Sequence, residues 1–449
     1  MSTLTTWPWQ HWAQHEPNRI ALAANRHALS WAALTEKIEA LAAGFYAQDV
    51  RVGSGVMLQA DNSELAVLAY LALLRCGARL LLINPRLPGC QVASLLPPMN
   101  MDFALTLNGA APDTLPALKI VSRAGSALSR WQSDAIATLT LTSGSTGLPK
   151  AAAHTFNAHL ASAHGVTTRL DFTANDSWLL SLPLFHVSGQ GILWRWLYRG
   201  GRLVLSEDAN CEQATFASLV PTQLWRLLQQ PELRLRTVLL GGAAIPATLT
   251  AQAEARGVAC WCGYGMTETA STVAAKRADG EPGVGTALAG HRIRLVKGEI
   301  AIQSAALASG YWRDGKLLPL ADSDGWFCTR DSGFLAADNL VINGRLDNLF
   351  FSAGEGIQPE QIEAVLAKHP AVEQVFIVPQ PDDEYGHRPV ALVALKEKSS
   401  LSQLQAWAAD RLAGIQRPVS WHPLPQLHGG GIKPSRKQLA DWLLQRQKE

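Results

Sequence analysis

The run Thr142-Ser143-Gly144-Ser145-Thr146-Gly147-Leu148-Pro149-Lys150 gathers hydroxyls, glycines and a lysine into one short segment. Glycine lets backbone N–H groups approach an anion, hydroxyls add donors, and lysine brings a mobile positive charge, so the composition suits phosphate. A Walker loop would carry its lysine directly after the last glycine; here Leu148 and Pro149 intervene and Ala151 follows, which excludes that loop type. A plain Gly/Ser turn stays open on this segment alone. Farther on, Thr237–Leu240 runs into Gly241-Gly242-Ala243-Ala244, and Val258–Cys262 into Gly263-Tyr264-Gly265-Met266-Thr267-Glu268. Glycine after a strand is often only a turn. Two in succession, the second ending in a hydroxyl beside a carboxylate, suit a planar ring lying on backbone and a metal bridging phosphates. A third candidate is Arg195, the one charge in the otherwise apolar run Ile192–Tyr198. A buried guanidinium needs an anionic partner: an acidic side chain elsewhere, or a substrate, unless it reaches solvent. Lys433 closes a glycine run, Gly429-Gly430-Gly431-Ile432-Lys433, and local sequence reads it as a surface lysine.

These residues need elements to hold them. Ile136–Leu141 alternates as a strand and feeds the first loop; Trp178–Leu182 is another strand, delivering the small and polar Phe185–Gly191, expected to be a turn. Trp31–Phe45 has helical apolar spacing, Leu65–Leu74 is apolar nearly all round as a buried helix would be, and Ala78–Ile83 reads as a buried strand. Such alternation predicts a layered α/β fold. Near the C-terminal end, Asp331, Arg345 and Asp347 flank a strand at Leu340–Ile342, and Pro359 opens a helix through Ala367. Strands at Val372–Val378 and Val390–Leu395, with helices at Leu401–Leu412 and from Ser435, predict a small α+β unit. The pattern restarts after Arg345, so the expected domains are 1–345, large and layered, and 346–449, small.

With 449 residues and 47% hydrophobic side chains the chain can bury a large core, and 39 basic against 37 acidic side chains leave +2 with no long run of either sign. Nothing here favours a nucleic acid or a membrane surface. The longest apolar segment, Leu65–Leu74, ends at Arg75, short of the ~18 residues of a span. The first residues lack a basic region before an apolar stretch, so no secretory signal is expected. The six cysteines, Cys76, Cys90, Cys211, Cys260, Cys262 and Cys328, match no zinc or redox spacing and read as reduced thiols of a cytoplasmic enzyme.

In this order the segments resemble the acyl-adenylate-forming, AMP-binding superfamily of acyl- and aryl-CoA ligases, luciferases and peptide-synthetase adenylation domains. Thr142–Lys150 is similar to its T-S-G-[ST]-T-G-x-P-K signature and Gly263–Glu268 to its G-Y-G-x-T-E. Thr329-Arg330-Asp331 resembles T-G-D with arginine in the glycine's place, Gly344-Arg345-Leu346-Asp347 the G-R-x-[DK] hinge, and the segment ending at Lys433 its P-x-x-x-x-G-K, with Ile432 for glycine. The likeness runs over the whole chain and is strongest to the branch that ligates 2-succinylbenzoate in menaquinone biosynthesis. It implies a large N-terminal domain, a small mobile C-terminal lid, ATP and Mg²⁺, coenzyme A as cosubstrate, and a small aromatic dicarboxylate as acid; a homo-oligomer stays open. By the same likeness Thr142, Lys150, Glu268 and Lys433 are catalytic, and Ser143, Gly144, Ser145, Thr146 and Gly147 hold phosphates with Lys150. Gly241, Gly242, Ala243 and Ala244 line adenine, and Gly263, Tyr264, Gly265, Met266 and Thr267 complete the nucleotide site. Glu268 binds the metal and Asp331 with Arg345 the ribose. His186, Arg195, Ser218 and Thr272 face the acid, with Arg195 on its spare carboxylate, Asp347 is the hinge, and Gly354 lies on the coenzyme A side. A ligase for another aryl or fatty acid is the nearest alternative, and a non-catalytic nucleotide-binding regulator a more distant one. A peptide-synthetase domain is disfavoured, since histidine follows Phe185 where an aspartate would hold an amine.

Overall fold

The computed structural model describes residues 4–24, 27–125, 129–142, 150–205, 214–241, 245–396, 400–412, 414–425 and 436–446. They form two compact units, 1–293 with 302–327, and 294–301 with 328–449.

In the first unit a seven-stranded sheet has the order Lys316–Pro319, Gly310–Arg313, Ala151–Thr155, Ile136–Leu141, Arg79–Ile83, Gly55–Gln59, Phe103–Thr106. A nine-stranded sheet is parallel through its centre, where Ser177–Leu180, Phe216–Leu219, Thr237–Leu240 and Ala259–Met266 lie side by side. Helices Trp31–Tyr46, Glu64–Arg75, Phe156–Arg169 and Val187–Arg199 lie between the sheets, sharing one apolar core with Leu58, Leu80 and Leu82 of one sheet and Leu22, Trp178 and Leu180 of the other. Alternate residues Leu179, Ala217, Leu219 and Val238 face a further layer with Leu224 and Leu249, and Met57, Leu81 and Leu139 face Val92 and Leu96. Period-2 strands buried on both faces explain why these segments read as continuous apolar runs. Glu64–Arg75 is buried from Ala66 to Arg75, and its exposed amide end is capped by Ser63, whose Oγ accepts from Ala66 N at 3.1 Å.

Two local expectations need correction. The segment Phe185–Gly191 is not a turn throughout: the helix begins at Val187, because a residue as small as Gly189 is needed for its first turn to dock on the Pro183 carbonyl, into which any Cβ would run. Nor does the strand Ala259–Met266 stop at its glycines. It passes through Gly263 and Gly265, and a Cβ at Gly265 would collide with the Ser271 carbonyl of the neighbouring antiparallel strand. These glycines serve close approach of backbone to backbone.

The second unit holds most of a four-stranded sheet, His291–Val296, Glu299–Ser304, Phe327–Ala336, Asn339–Arg345, then a hairpin Phe350–Ser352 with Glu355–Ile357, and a three-stranded sheet Val372–Asp382, Gly386–Leu395, Ser420–Pro423. Pro359 is the first residue of helix Pro359–Leu366, as its fixed φ and missing N–H favour. Helices Pro359–Leu366 and Leu401–Ala409 pack Ile362, Leu366 and Leu404 against Ile377, Ala391 and Val393 of the three-stranded sheet.

Candidate functional site

The C-terminal ends of parallel strands are where open α/β sheets bind ligands, and Ser218 and Gly241 lie at such ends in the nine-stranded sheet, with Arg195 reaching Ser218 from its helix. Arg195 lies on the inner helix, 1% exposed. Its Nη1 donates to Ser218 Oγ at 3.0 Å and its Nη2 to Ser271 Oγ at 2.6 Å, the guanidinium carbon lies 5.0 Å from the Trp178 ring centroid, and buried Nε has no hydrogen-bond partner. Among the described residues it pairs with no carboxylate, so neither a structural ion pair nor an escape to solvent accounts for it. Burial pulls its pKa down to about 9, which still leaves it charged at neutral pH. A positive fork held by neutral hydroxyls has the chemistry that suits an anion. Gly191, one turn earlier on the same face, gives the fork room: a Cβ there would sit 3.2 Å from Nη2 and 3.1 Å from Ser271 Oγ. His186 sits at the N-cap position of this helix without a side-chain cap hydrogen bond, its pKa lowered by burial and its Nε2 buried without a hydrogen-bond partner. The Thr272 hydroxyl lies 3.5 Å from that of Ser271, and its methyl would meet a Cβ at Gly263.

Beside this pocket, Thr142 N donates to the Lys150 carbonyl at 3.2 Å, joining the two ends of the phosphate loop, and the Lys150 ammonium lies 3.7 Å from the Tyr311 ring centroid. The Tyr311 hydroxyl donates to Glu268 Oε1 at 2.7 Å. Glu268 and Thr267 lie in a single tight turn, Thr267–Thr269, fastened by Thr269 Oγ1, which accepts from Met266 N at 3.1 Å and donates to the Ser271 carbonyl at 2.8 Å. A cleft of about 270 Å³ is lined by Gly241, Cys262 and Gly263 with Leu240 and Ile245, and Asp279 and Glu281 are also part of its wall. Flat glycine backbone between apolar side chains suits a purine ring. Tyr264 and Met266 lie on the strand that passes this cleft. No group of three or more His, Cys, Asp and Glu converges among the described residues. Glu268 alone fits Mg²⁺, which takes one or two carboxylates and otherwise water and phosphate oxygens. Ser143, Gly144, Ser145, Thr146, Gly147, Gly242, Ala243, Ala244 and Lys433 lie outside the described residues.

In the second unit Asp331 and Arg345 stand opposite each other on paired strands, Arg345 Nη1 donating to Asp331 Oδ1 at 3.2 Å. Arg330, in the place of the family's glycine, keeps a left-handed φ of 63° and sends its side chain to Asp347, Nη2 to Oδ1 at 2.9 Å, while Arg345 Nη2 holds Asp347 Oδ2 at 3.1 Å. Partial burial pushes the Asp347 carboxyl up, but hydrogen bonds and charge from Arg330 and Arg345 outweigh it and hold the group below the usual carboxylate range. Gly354, φ 80°, follows Ala353, φ 49°, at the hairpin tip, the paired left-handed conformations a two-residue turn demands. Past Lys433, Arg436 binds Glu363 through both Nη atoms, Nη2 to Oε2 at 2.7 Å, and donates to the Ile377 carbonyl at 2.7 Å, which anchors the helix Arg436–Arg446 at its first residue.

Sequence reasoning missed Ser271, Thr269 and Tyr311. Ser271 follows the Glu268 turn by three residues, but only the strand register turns it toward Arg195. Tyr311 arrives from a separate strand.

The family model described as AMP-binding enzyme matches residues 9–312, and that of the AMP-binding enzyme C-terminal domain matches 361–428. The chain is 53% identical over 448 residues to a 2-succinylbenzoate–CoA ligase of Salmonella typhimurium, covering 98% of each. Among solved structures it is similar to an Escherichia coli MenE variant with bound OSB-AMS, at 49% identity and a TM-score of 0.90, covering 98% of this chain and 99% of that one. It also resembles the Bacillus subtilis o-succinylbenzoate coenzyme A synthetase in complex with ATP and magnesium ion, at 27% identity and a TM-score of 0.86, covering 94% and 96%.

Proposed function

The chain belongs to the AMP-binding enzyme family, and from that premise we propose how its residues divide the reaction. The protein is an AMP-forming acid–CoA ligase that uses ATP with Mg²⁺ and then coenzyme A. Its acid is 2-succinylbenzoate and its product 2-succinylbenzoyl-CoA, in menaquinone biosynthesis. In the first step an oxygen of the succinyl carboxylate attacks the α-phosphorus of ATP and the bond to pyrophosphate breaks; in the second the coenzyme A sulfur attacks the acyl carbonyl and AMP leaves. The acid supplies its own nucleophile, so the protein's part is positioning and charge. Lys150, with Thr142 and the Ser143–Gly147 loop, holds the β- and γ-phosphates. Thr267 contacts the α-phosphate, Gly241 to Ala244 and Gly263 to Met266 enclose the adenosine, and Asp331 with Arg345 holds the ribose. Glu268 holds Mg²⁺, which when bound neutralises phosphate charge. Lys433 serves the first step, Asp347 is the hinge where the segment 346–449 turns against 1–345, and Gly354 faces the thiol in the second step. The free thiols Cys76, Cys90, Cys260, Cys262 and Cys328 support a cytoplasmic setting; no described helix is long and apolar enough to cross a membrane.

The observation that carries the placement of the acid is the uncompensated Arg195 guanidinium between Ser218 and Ser271. It takes the ring carboxylate, leaving the succinyl carboxylate for ATP, with His186 and Thr272 beside the ring. ATP–pyrophosphate exchange tests this with 2-succinylbenzoate, with 4-oxo-4-phenylbutanoate, which lacks only the ring carboxylate, and with a fatty acid. Loss of a charge-assisted contact predicts roughly a 10- to 100-fold lower kcat/KM for the truncated acid. Equal exchange with both aromatic acids would overturn the role of Arg195.

A further inference from the structure

Tyr311 has no part in the division of labour above, yet it touches the two side chains placed on the phosphates. Strand Gly310–Arg313 pairs antiparallel with Ala151–Thr155, and the register sets Tyr311 opposite Ala152, beside the end of the phosphate loop. From there one side chain grips two opposite charges by different chemistry. The Lys150 ammonium lies 3.7 Å from the ring centroid, within the reach at which the negative face of an aromatic ring holds a cation. The hydroxyl donates to Glu268 Oε1 at 2.7 Å. The same segment also holds the main chain of the glutamate, Ala308 N donating to the Glu268 carbonyl at 2.8 Å.

The arrangement solves a problem that the sequence motifs leave open. A lysine for phosphate and a glutamate for metal at neighbouring positions would tend to pair with each other, and a direct ion pair would occupy both before ATP arrived. No Lys150–Glu268 ion pair occurs among the described residues. Tyr311 meets the ammonium with its ring face and the carboxylate with its hydroxyl, satisfying each without neutralising it. It also uses only one carboxylate oxygen, leaving Oε2 without a protein partner among the described residues.

We propose that Tyr311 is a positioning residue that presets Lys150 for the phosphates and Glu268 for Mg²⁺ while keeping the two from pairing. The inference rests on the placement of Lys150 and Glu268 at the phosphates. Its test compares Tyr311→Phe, which keeps the ring and loses the hydroxyl, with Tyr311→Leu, which loses both, and with Glu268→Gln. Two readouts are needed: the midpoint of Mn²⁺ binding to the enzyme with a non-hydrolysable ATP analogue, followed by electron paramagnetic resonance, and the KM for ATP at saturating Mg²⁺. Tyr311→Phe should weaken metal binding about tenfold, as loss of a hydrogen bond to a charged group does, and leave the KM for ATP unchanged. Tyr311→Leu should weaken metal binding as much and raise the KM for ATP several-fold as well. If Glu268→Gln shifts the metal midpoint and Tyr311→Phe does not, the role of Tyr311 is refuted while the site stands. If Glu268→Gln leaves the midpoint where it was, the placement of Glu268 fails and the inference fails with it.

Discussion

Arg195 carries a full charge 1% exposed to solvent, with two hydroxyls in place of water. Hydroxyl dipoles orient a guanidinium but do not neutralise it, and burial shows its penalty in a pKa drawn down to about 9. If Arg195 takes the ring carboxylate as proposed above, the carboxylate relieves that penalty, and part of the acid's binding energy comes from a charge already in place. Replacing Arg195 with leucine of comparable bulk should raise the KM for 2-succinylbenzoate roughly 10- to 100-fold, the range for a charge-assisted hydrogen bond, with the KM for ATP nearly unchanged. Steady-state kinetics with each substrate varied in turn checks this, and parallel rises in both constants would count against it. Arg195 was legible in the sequence because a lone charge interrupts an apolar helix. Its partner Ser271 was not, because a serine has no signature of its own and this one lies 76 residues away, brought in by sheet packing.

Helices and strands show the same division. Elements with a clear start signal, such as Glu64–Arg75 capped by Ser63 and Pro359–Leu366 opened by its proline, matched the reading closely. The misreadings fell where glycine serves tertiary contact: sequence takes glycine as a stop, while Gly189 and Gly265 continue their elements because a neighbour's backbone lies against them. Gly191 offers a quantitative case. In a helix interior, alanine is favoured over glycine by about 1 kcal/mol, but the new Cβ would meet the Ser271 hydroxyl at 3.1 Å, Arg195 Nη2 at 3.2 Å and the Ser271 Cβ at 3.3 Å, the last tied directly to backbone and the guanidinium buried and held by two hydroxyls. Shifting this buried, hydrogen-bonded pair by a few tenths of an ångström offsets the helix gain, so Gly191→Ala should melt no higher than the unaltered protein. The displaced guanidinium is the group proposed above to hold the acid, and small misplacements are costly to positioning. Its KM for the acid should therefore rise about tenfold, as melting curves beside exchange kinetics would reveal; an unchanged KM would mean the fork has slack.

At the scale of the whole chain, the pattern of elements conveyed the fold class well: a large layered α/β part, then a small α+β part. What the sequence could not convey is which strands lie together, and so Tyr311 and Thr269 stayed hidden although their neighbours in the motifs were plain. It also could not say what Arg330 does in a glycine's place; the structure gives it the glycine's left-handed φ and an ion pair to Asp347. Lys433 lies outside the described residues; the described helix that begins three residues on is held at Arg436 by Glu363 and the Ile377 carbonyl, with Leu439 fully buried. A lysine needed only as charge develops on the α-phosphate should matter to one half of the reaction. Lys433→Ala should lose roughly 10²-fold or more in adenylate formation, the scale of removing one transition-state donor. Thioester formation from supplied acyl-adenylate should change little, since no pyrophosphate leaves in that step. Single-turnover measurement of each half-reaction separates the two, and equal losses in both would mean that Lys433 holds the adenylate itself.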